Sequence, residues 1–288
     1  MKLRGSIYLL ITSIIWGSAF VAQAVGNQAM SPTLFNSFRS FIASIALFVV
    51  YKSFKSVRKY SKKKSILTGI ICGLVLAIAS NLQQIGLVYS DVNKSGFITS
   101  LYIIMVPILF VIFKKRIEIK IWLSMIIAII GLYFLTMTTS LNLELGDTLI
   151  LASAFFFAVQ IVIISFLIED CNPILISLVQ CLVIAIISLI YSFIIKDVII
   201  YDLTASILPL LFTGILSSGV AYTLQIFGQR SVEASTASLI LSLESVFAAL
   251  TSMLLLNQFM TSREIFGSFL IFSAIIISQI NFSPKNIK

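Results

Sequence analysis

Apolar residues run along this chain in long, unbroken stretches separated by short polar connections. Ten stretches can be marked, roughly 5–25, 32–52, 66–88, 94–113, 119–137, 147–168, 173–195, 206–228, 234–256 and 263–281. Each is close to the ~20 residues that an α-helix needs to cross the hydrocarbon core of a bilayer. The apolar positions are continuous rather than alternating, which excludes a transmembrane β-barrel. The connections leave no room for a soluble domain that could hold a nucleotide or a nucleic acid. The pattern predicts an all-α integral membrane protein of ten transmembrane helices.

Composition agrees: 59% of the 288 residues are apolar and 11% charged, with a mean hydropathy of +1.09. A soluble domain carries about a quarter charged residues. The net charge of +9 reads as a topology signal. With the N-terminus inside, sixteen basic residues fall on the inner side: Lys2, Arg4, Lys52, Lys55, Arg58, Lys59, Lys62, Lys63, Lys64, Lys114, Lys115, Arg116, Lys120, Arg230, Lys285 and Lys288. Four fall on the outer side, namely Arg39, Lys94, Lys196 and Arg263. This bias predicts a multi-pass protein of the cell membrane with both termini cytoplasmic. Ala22-Gln23-Ala24 has the look of a signal-peptidase site, but the apolar stretch before it is longer than a signal core, so no cleavage is expected.

Several chemistries are excluded. The chain has no histidine and three unmatched cysteines, Cys72, Cys171 and Cys181. That removes histidine metal sites, Ser-His-Asp and Cys-His triads and histidine proton relays, and it suggests no disulfide. No G-x-x-x-x-G-K phosphate loop is present, so transport driven directly by ATP is unsupported. Neither cofactor nor metal is expected. The expected partners are a small-molecule substrate and the lipid bilayer, with no nucleic acid. The sequence leaves monomer and oligomer open; Gly69 and Gly73 form a small-xxx-small pair that fits either a dimer face or internal helix packing.

The chain also repeats itself. A shift of 141 residues lays Gly5 on Gly146, Trp16 on Phe157, Pro32 on Pro173 and Arg39 on Gln180. Proline thus opens the second helix of each half, where its missing N–H does no harm. A slightly different shift lays the 81–101 region on the 219–239 region. The expected repeats are 1–140 and 141–288, five helices each. An odd number of crossings makes the second half enter from the opposite side. Two inverted five-helix repeats are the architecture of many secondary transporters, with a site near the midplane.

At Trp16-Gly17-Ser18-Ala19-Phe20, Ser31-Pro32, Arg39, Gly219-Val220-Ala221-Tyr222, the 234–239 stretch and Leu243-Glu244-Ser245-Val246-Phe247-Ala248-Ala249-Leu250, the chain resembles the EamA-type, ten-span branch of the drug/metabolite transporter superfamily. The resemblance implies a secondary transporter of small metabolites such as amino acids, and an exporter. A multidrug or cationic-compound exporter is the alternative. The chain departs from the family pattern at three places. Lys114-Lys115-Arg116 and Asn257-Gln258 stand where Gly-Glu is common, Ser245 stands where a proline often follows the ninth-span glutamate, and the first span lacks the glutamate of half-size multidrug relatives.

Candidate site residues follow from polarity at depth. Glu244 is the only acid deep within an apolar stretch, and burying such a charge costs roughly 2.5–3.5 kcal/mol on insertion scales. It suits a proton site, an anchor for a substrate amine or a structural hydrogen-bond group. Asn81 and Gln84, three apart, share one helix face, and Gln83 points elsewhere. Such amides serve a polar substrate or join helices, in which role each contributes about 0.6 kcal/mol. Trp16 and Tyr102 sit mid-span, away from the interfacial belts where such aromatics collect. Tyr222 and Gln225 repeat the i,i+3 arrangement in the eighth span, and Gln160 and Gln180 are further intramembrane amides. The reading expects a midplane cavity, without catalytic residues, whose substrate-binding residues are Trp16, Asn81, Gln84, Tyr102, Tyr222 and Glu244, with Glu244 the candidate for coupling. Arg39 is expected to snorkel to the outer interface; its functional alternative is a carboxylate ligand. A membrane-embedded enzyme is a remote further reading, resting on Tyr201-Asp202 and Gly146-Asp147, two aspartates at predicted helix ends that would not meet in the bilayer.

Overall fold

The structure is a computed structural model that describes residues 2–53, 59–136, 144–256 and 260–279. Lys55, Arg58, Asn257, Gln258, Lys285, Lys288, the repeat boundary at 140/141 and the expected span ends at 137 and 281 lie outside the described residues. In chain order the helices are α1 (Lys2–Ala29), α2 (Pro32–Ser53), α3 (Lys62–Gly86), α4 (Val92–Ser100), α5 (Tyr102–Ile112), α6 (Ile119–Thr136) and α7 (Leu145–Leu167). There follow α8 (Pro173–Ile194), α9 (Leu203–Leu211), a π-helical segment (Phe212–Ala221), α10 (Tyr222–Gln229), α11 (Ala234–Leu241), α12 (Glu244–Leu256) and α13 (Ser262–Gln279).

These elements make ten spans. Eight are long and apolar enough to cross a membrane, counting α4–α5, α9–α10 and α11–α12 as one span each. The ninth, α6, is a shorter apolar helix, and α13 packs along it. Large apolar side chains such as Phe41, Leu208 and Leu254 face outward, while Asn36, Gln84, Gln160, Gln180 and many serines are buried. That inversion of a soluble protein suits a lipid surround, where polar groups need partners inside the bundle. Helix starts follow local chemistry. Asn172 caps α8, its side chain accepting from Ile174 N and Leu175 N, with Pro173 at the first turn. Asp202 caps α9 through Ala205 N. Both aspartates of the enzyme reading therefore have structural duties, since Asp147 closes a capping box with Glu144 at the start of α7.

Helices of the two halves interleave. α1 packs on α10 and α12, α2 on α8, and α3 on α7 and α8. Small residues permit these approaches: a Cβ on Gly69 or Gly73 would meet Val179 and Val183 of α8 at 2.7 Å, so the small-xxx-small pair serves internal packing. The α6–α13 pair crosses at Gly131 and Gly267, where a Cβ on Gly267 would lie 2.5 Å from Gly131 O and from Leu135 N. Those are backbone atoms that cannot swing aside. Gly267→Leu should therefore destabilise the protein by about 1–3 kcal/mol, the cost of overpacking. Thermal unfolding in detergent would show it, and an unchanged melting temperature would contradict this packing.

A polar clasp joins the halves at one end. Buried Asp147 accepts from Lys94 Nζ at 2.6 Å, from Ser90 Oγ at 2.7 Å and from Glu144 N at 2.9 Å. Lys94 is partly exposed, which weakens its share; the buried carboxylate still loses several partners at once if truncated. Asp147→Ala should lower stability by about 1–3 kcal/mol, again read by thermal unfolding, with no loss expected if the clasp is merely incidental.

Candidate functional site

Three spans are irregular, and residues at their irregularities line one cavity. The fourth span breaks at Leu101 and the ninth at Ser242–Leu243. Ser100 Oγ reaches Ser242 O at 3.4 Å, so the two breaks face each other across the halves. In the eighth span the π-helical stretch interrupts the regular ladder, a device frequent at functional sites. Continuous helices offer only side chains to their neighbours; breaks and π turns also expose backbone groups.

Between these elements lies a cavity of about 40 Å³. A water needs ~10–15 Å³, so this conformation has room for a few waters and must widen to admit a metabolite. Aromatic walls come from Trp16, Phe20, Tyr102, Phe157 and Tyr222; polar groups come from Gln23, Arg39, Gln83, Thr99, Gln160, Ser217, Gln225 and Glu244. Tyr102 opens α5 and Glu244 opens α12, so each break delivers one of the cavity's polar side chains.

The walls are held in place by a set of defined contacts. Trp16 Nε1 donates to Ser217 O at 3.1 Å, the carbonyl offered by the π-helical stretch. The Trp16 and Tyr222 rings meet edge to face, centroids 5.1 Å apart. Gln160 and Gln225 exchange hydrogen bonds, the shorter at 3.0 Å. Gln83 Nε2 donates to Thr99 Oγ1 at 3.0 Å. Arg39 Nη1 donates to Gln23 Oε1 at 2.8 Å and its Nε to Asn36 Oδ1 at 2.9 Å. Glu244 is 2% exposed. Tyr102 is its near neighbour, yet neither Tyr102 Oη nor Glu244 Oε1 makes a hydrogen bond of good geometry with the protein. Gly17 makes the Glu244 position accessible to α1, since a Cβ there would stand 2.6 Å from Glu244 O.

Four of the six expected site residues, Trp16, Tyr102, Tyr222 and Glu244, line this cavity. Asn81 and Gln84 are buried but lie off its lining. Asn81 Nδ2 donates to Ala77 O and Ser188 Oγ, and Gln84 Nε2 to Asn27 Oδ1, which ties α3 to α8 and α1. The residue between them, Gln83, is the one that faces the cavity. Sequence reasoning about a shared face identified the right helix and the wrong side of it. One side of α3 is an outward apolar stripe of Leu67, Ile70, Leu74 and Ile78, and the polar residues of its inward sides divide between the cavity and the neighbouring helices. Arg39 does not snorkel: it is 5% exposed and turned inward, where Gln23 and Asn36 offer acceptors that hydrocarbon lacks. Gln23 went unremarked as a site residue. Phe157 was legible only as the repeat partner of Trp16, and Gln160 and Gln225 as intramembrane amides. Among the described residues no group of three or more His, Cys, Asp or Glu could hold a metal.

The model of the EamA-like transporter family matches twice, over residues 3–137 and 144–279. The chain belongs to the EamA-like transporter family. It is thereby a two-repeat member of the drug/metabolite transporter superfamily and a multi-pass membrane protein. A protein of Archaeoglobus fulgidus called an uncharacterized transporter is 32% identical over 278 residues, covering 96% of this chain and 86% of that one. The uncharacterized transporter YoaV of Bacillus subtilis is 24% identical over 292 residues, covering 97% and 98%. A solved crystal structure shares the fold with a TM-score of 0.79 at 14% identity, covering 96% of both chains.

Proposed function

We propose that this EamA-family transporter is a secondary carrier that exports small metabolites such as amino acids by alternating access around the central cavity. The observation that carries the reading is the cavity itself, lined by aromatic rings, amides and a carboxyl with one oxygen left unsatisfied, at the meeting of two broken spans from different halves. Five spans in each of the segments 1–140 and 141–288 put the halves in opposite orientation. Such a pair can exchange shapes and open the same site to either face. Glu244 is the residue that binds a substrate amine or a proton, and the carrier acts without a catalytic step.

Export of cationic compounds is the second reading. An acid framed by Trp16, Phe20, Tyr102, Phe157 and Tyr222 is a suitable seat for an amphipathic cation. Counter-transport across proteoliposomes against a panel of amino acids, nucleobases and cationic drugs separates the two. Acceleration by amino acids supports the proposal; acceleration by cationic drugs alone replaces it with the second reading.

Topology is part of the proposal: termini on the cytoplasmic face of the cell membrane, with Lys62, Lys63 and Lys64 beside them. A cysteine introduced at Lys63 should resist an impermeant thiol reagent added to intact cells, whereas one at Asn142 should react. Labelling at Lys63 from outside would reverse the orientation.

A further inference from the structure

Arg39 and Glu244 line the same cavity, and neither has a partner of opposite charge among the described residues. Arg39 is held by two neutral side-chain oxygens, those of Gln23 and Asn36. Its guanidinium stays charged in proteins, and burying a charge without a counter-charge costs several kcal/mol. Gln23 and Asn36 fix the fork, and neither brings a charge. Glu244 likewise presents an oxygen that the protein leaves without a hydrogen bond.

The two groups are seated on different stretches of α1. Arg39 is tied to Gln23, whereas the Glu244 backbone rests on Gly17. Gly17 and Gln23 are almost two turns apart on α1, about 9 Å along its axis at 1.5 Å per residue. Tyr222 lies within electrostatic reach of both. A ligand with one charge can neutralise one end and leaves the other bare. A small zwitterion offers one charge-assisted hydrogen bond of about 2.8 Å to each.

We infer that Arg39 is the carboxylate anchor of the transport site and Glu244 its ammonium anchor, so that the site selects zwitterions by reading both charges. The inference rests on the carrier reading above and narrows its substrate class: a free carboxylate and a free amine on one small molecule. The aromatic walls between the anchors favour an uncharged, apolar remainder.

The test is counterflow of a labelled neutral amino acid by the purified protein in proteoliposomes, with competition by three unlabelled forms of that amino acid: unmodified, its carboxamide and its N-acetyl derivative. Wild type should discriminate against both modified forms by about tenfold or more, as expected when a site's polar group is left unpaired. Arg39→Gln should lose the discrimination against the carboxamide and keep that against the N-acetyl form. Glu244→Gln should do the reverse, and Arg39→Lys should keep a reduced carboxylate preference. Because the wild-type selectivity needs no variant, a misfolded mutant does not block the test. Counterflow that ignores the carboxylate, or variants that weaken all three competitors alike, would overturn the two-anchor assignment and leave the carrier reading standing. Counterflow of no amino acid, while another class in the broader panel is carried, would overturn the amino-acid reading together with this one.

Discussion

Glu244→Gln is expected to reduce transport by at least about tenfold, and to flatten its pH profile, while the protein still inserts and folds. Glutamine matches glutamate in shape and hydrogen-bonds, but it cannot ionise. Glu244 Oε1 lacks a protein partner, so the substitution breaks no internal hydrogen bond at that atom. What it removes is the interaction with a cationic substrate group or a proton. Hydrogen bonds to charged groups contribute about 1.5–3 kcal/mol, roughly 10- to 150-fold in affinity. The measurement is initial-rate counterflow at several pH values, with size-exclusion behaviour and thermal unfolding as folding controls. Wild-type rates with an unchanged pH profile would remove Glu244 from the mechanism.

Gly17→Val is expected to have an effect of comparable size by a different route. A Cβ at this position would stand 2.5 Å from Phe247 Cβ, 2.6 Å from Glu244 O and 2.8 Å from Ala248 N. Two of those three atoms are backbone, so α1 and α12 must move apart. Overpacking of this kind costs typically 1–3 kcal/mol. Here it also displaces Glu244, so transport should fall by at least about tenfold even in the protein that remains folded. Gly96→Ala is the matched control. Its new Cβ would meet nothing nearer than 3.5 Å, ordinary van der Waals contact, and both stability and transport should stay near wild type. Similar behaviour of the two variants would show that close approach at Gly17 is not what seats Glu244.

The sequence reading recovers the span pattern well because hydropathy is dictated by the bilayer, and each of the ten expected stretches corresponds to one helix or to a span made of two or three consecutive segments. Pro32 and Pro173 mark the starts of α2 and α8 as expected. The breaks at Leu101 and at Ser242–Leu243 are not legible in the sequence because neither glycine nor proline, the usual marks of an interrupted helix, stands at either point. The π-helical stretch from Phe212 to Ala221 is likewise invisible to periodicity, since it lies in a run as apolar as its surroundings.

At the site, depth was readable and direction was not. Glu244, Trp16, Tyr102 and Tyr222 are polar or amphipathic groups far from either interface, and a cavity accounts for them. Asn81 and Gln84 have the same polarity and depth but spend it on Ser188 and Asn27, while Gln83 faces the cavity. The apolar stripe of α3, Leu67, Ile70, Leu74 and Ile78, turns all three amides away from lipid but does not say which of them meets a cavity and which a neighbouring helix. Arg39 shows a related failure. Snorkelling is the cheapest course for an arginine on a lipid-facing helix, and only the packed structure reveals that Gln23 and Asn36 offer it something better.

One measurement tests most directly the claim that a single central cavity serves both faces of the membrane. Ser217 lies on the cavity wall, and a Ser217→Cys substitution in a background free of Cys72, Cys171 and Cys181 places a thiol there. The account predicts that this thiol reacts with a small impermeant reagent added at either face, and that transported substrate slows both reactions. Reaction from one face alone, or no protection by substrate from either, would contradict it.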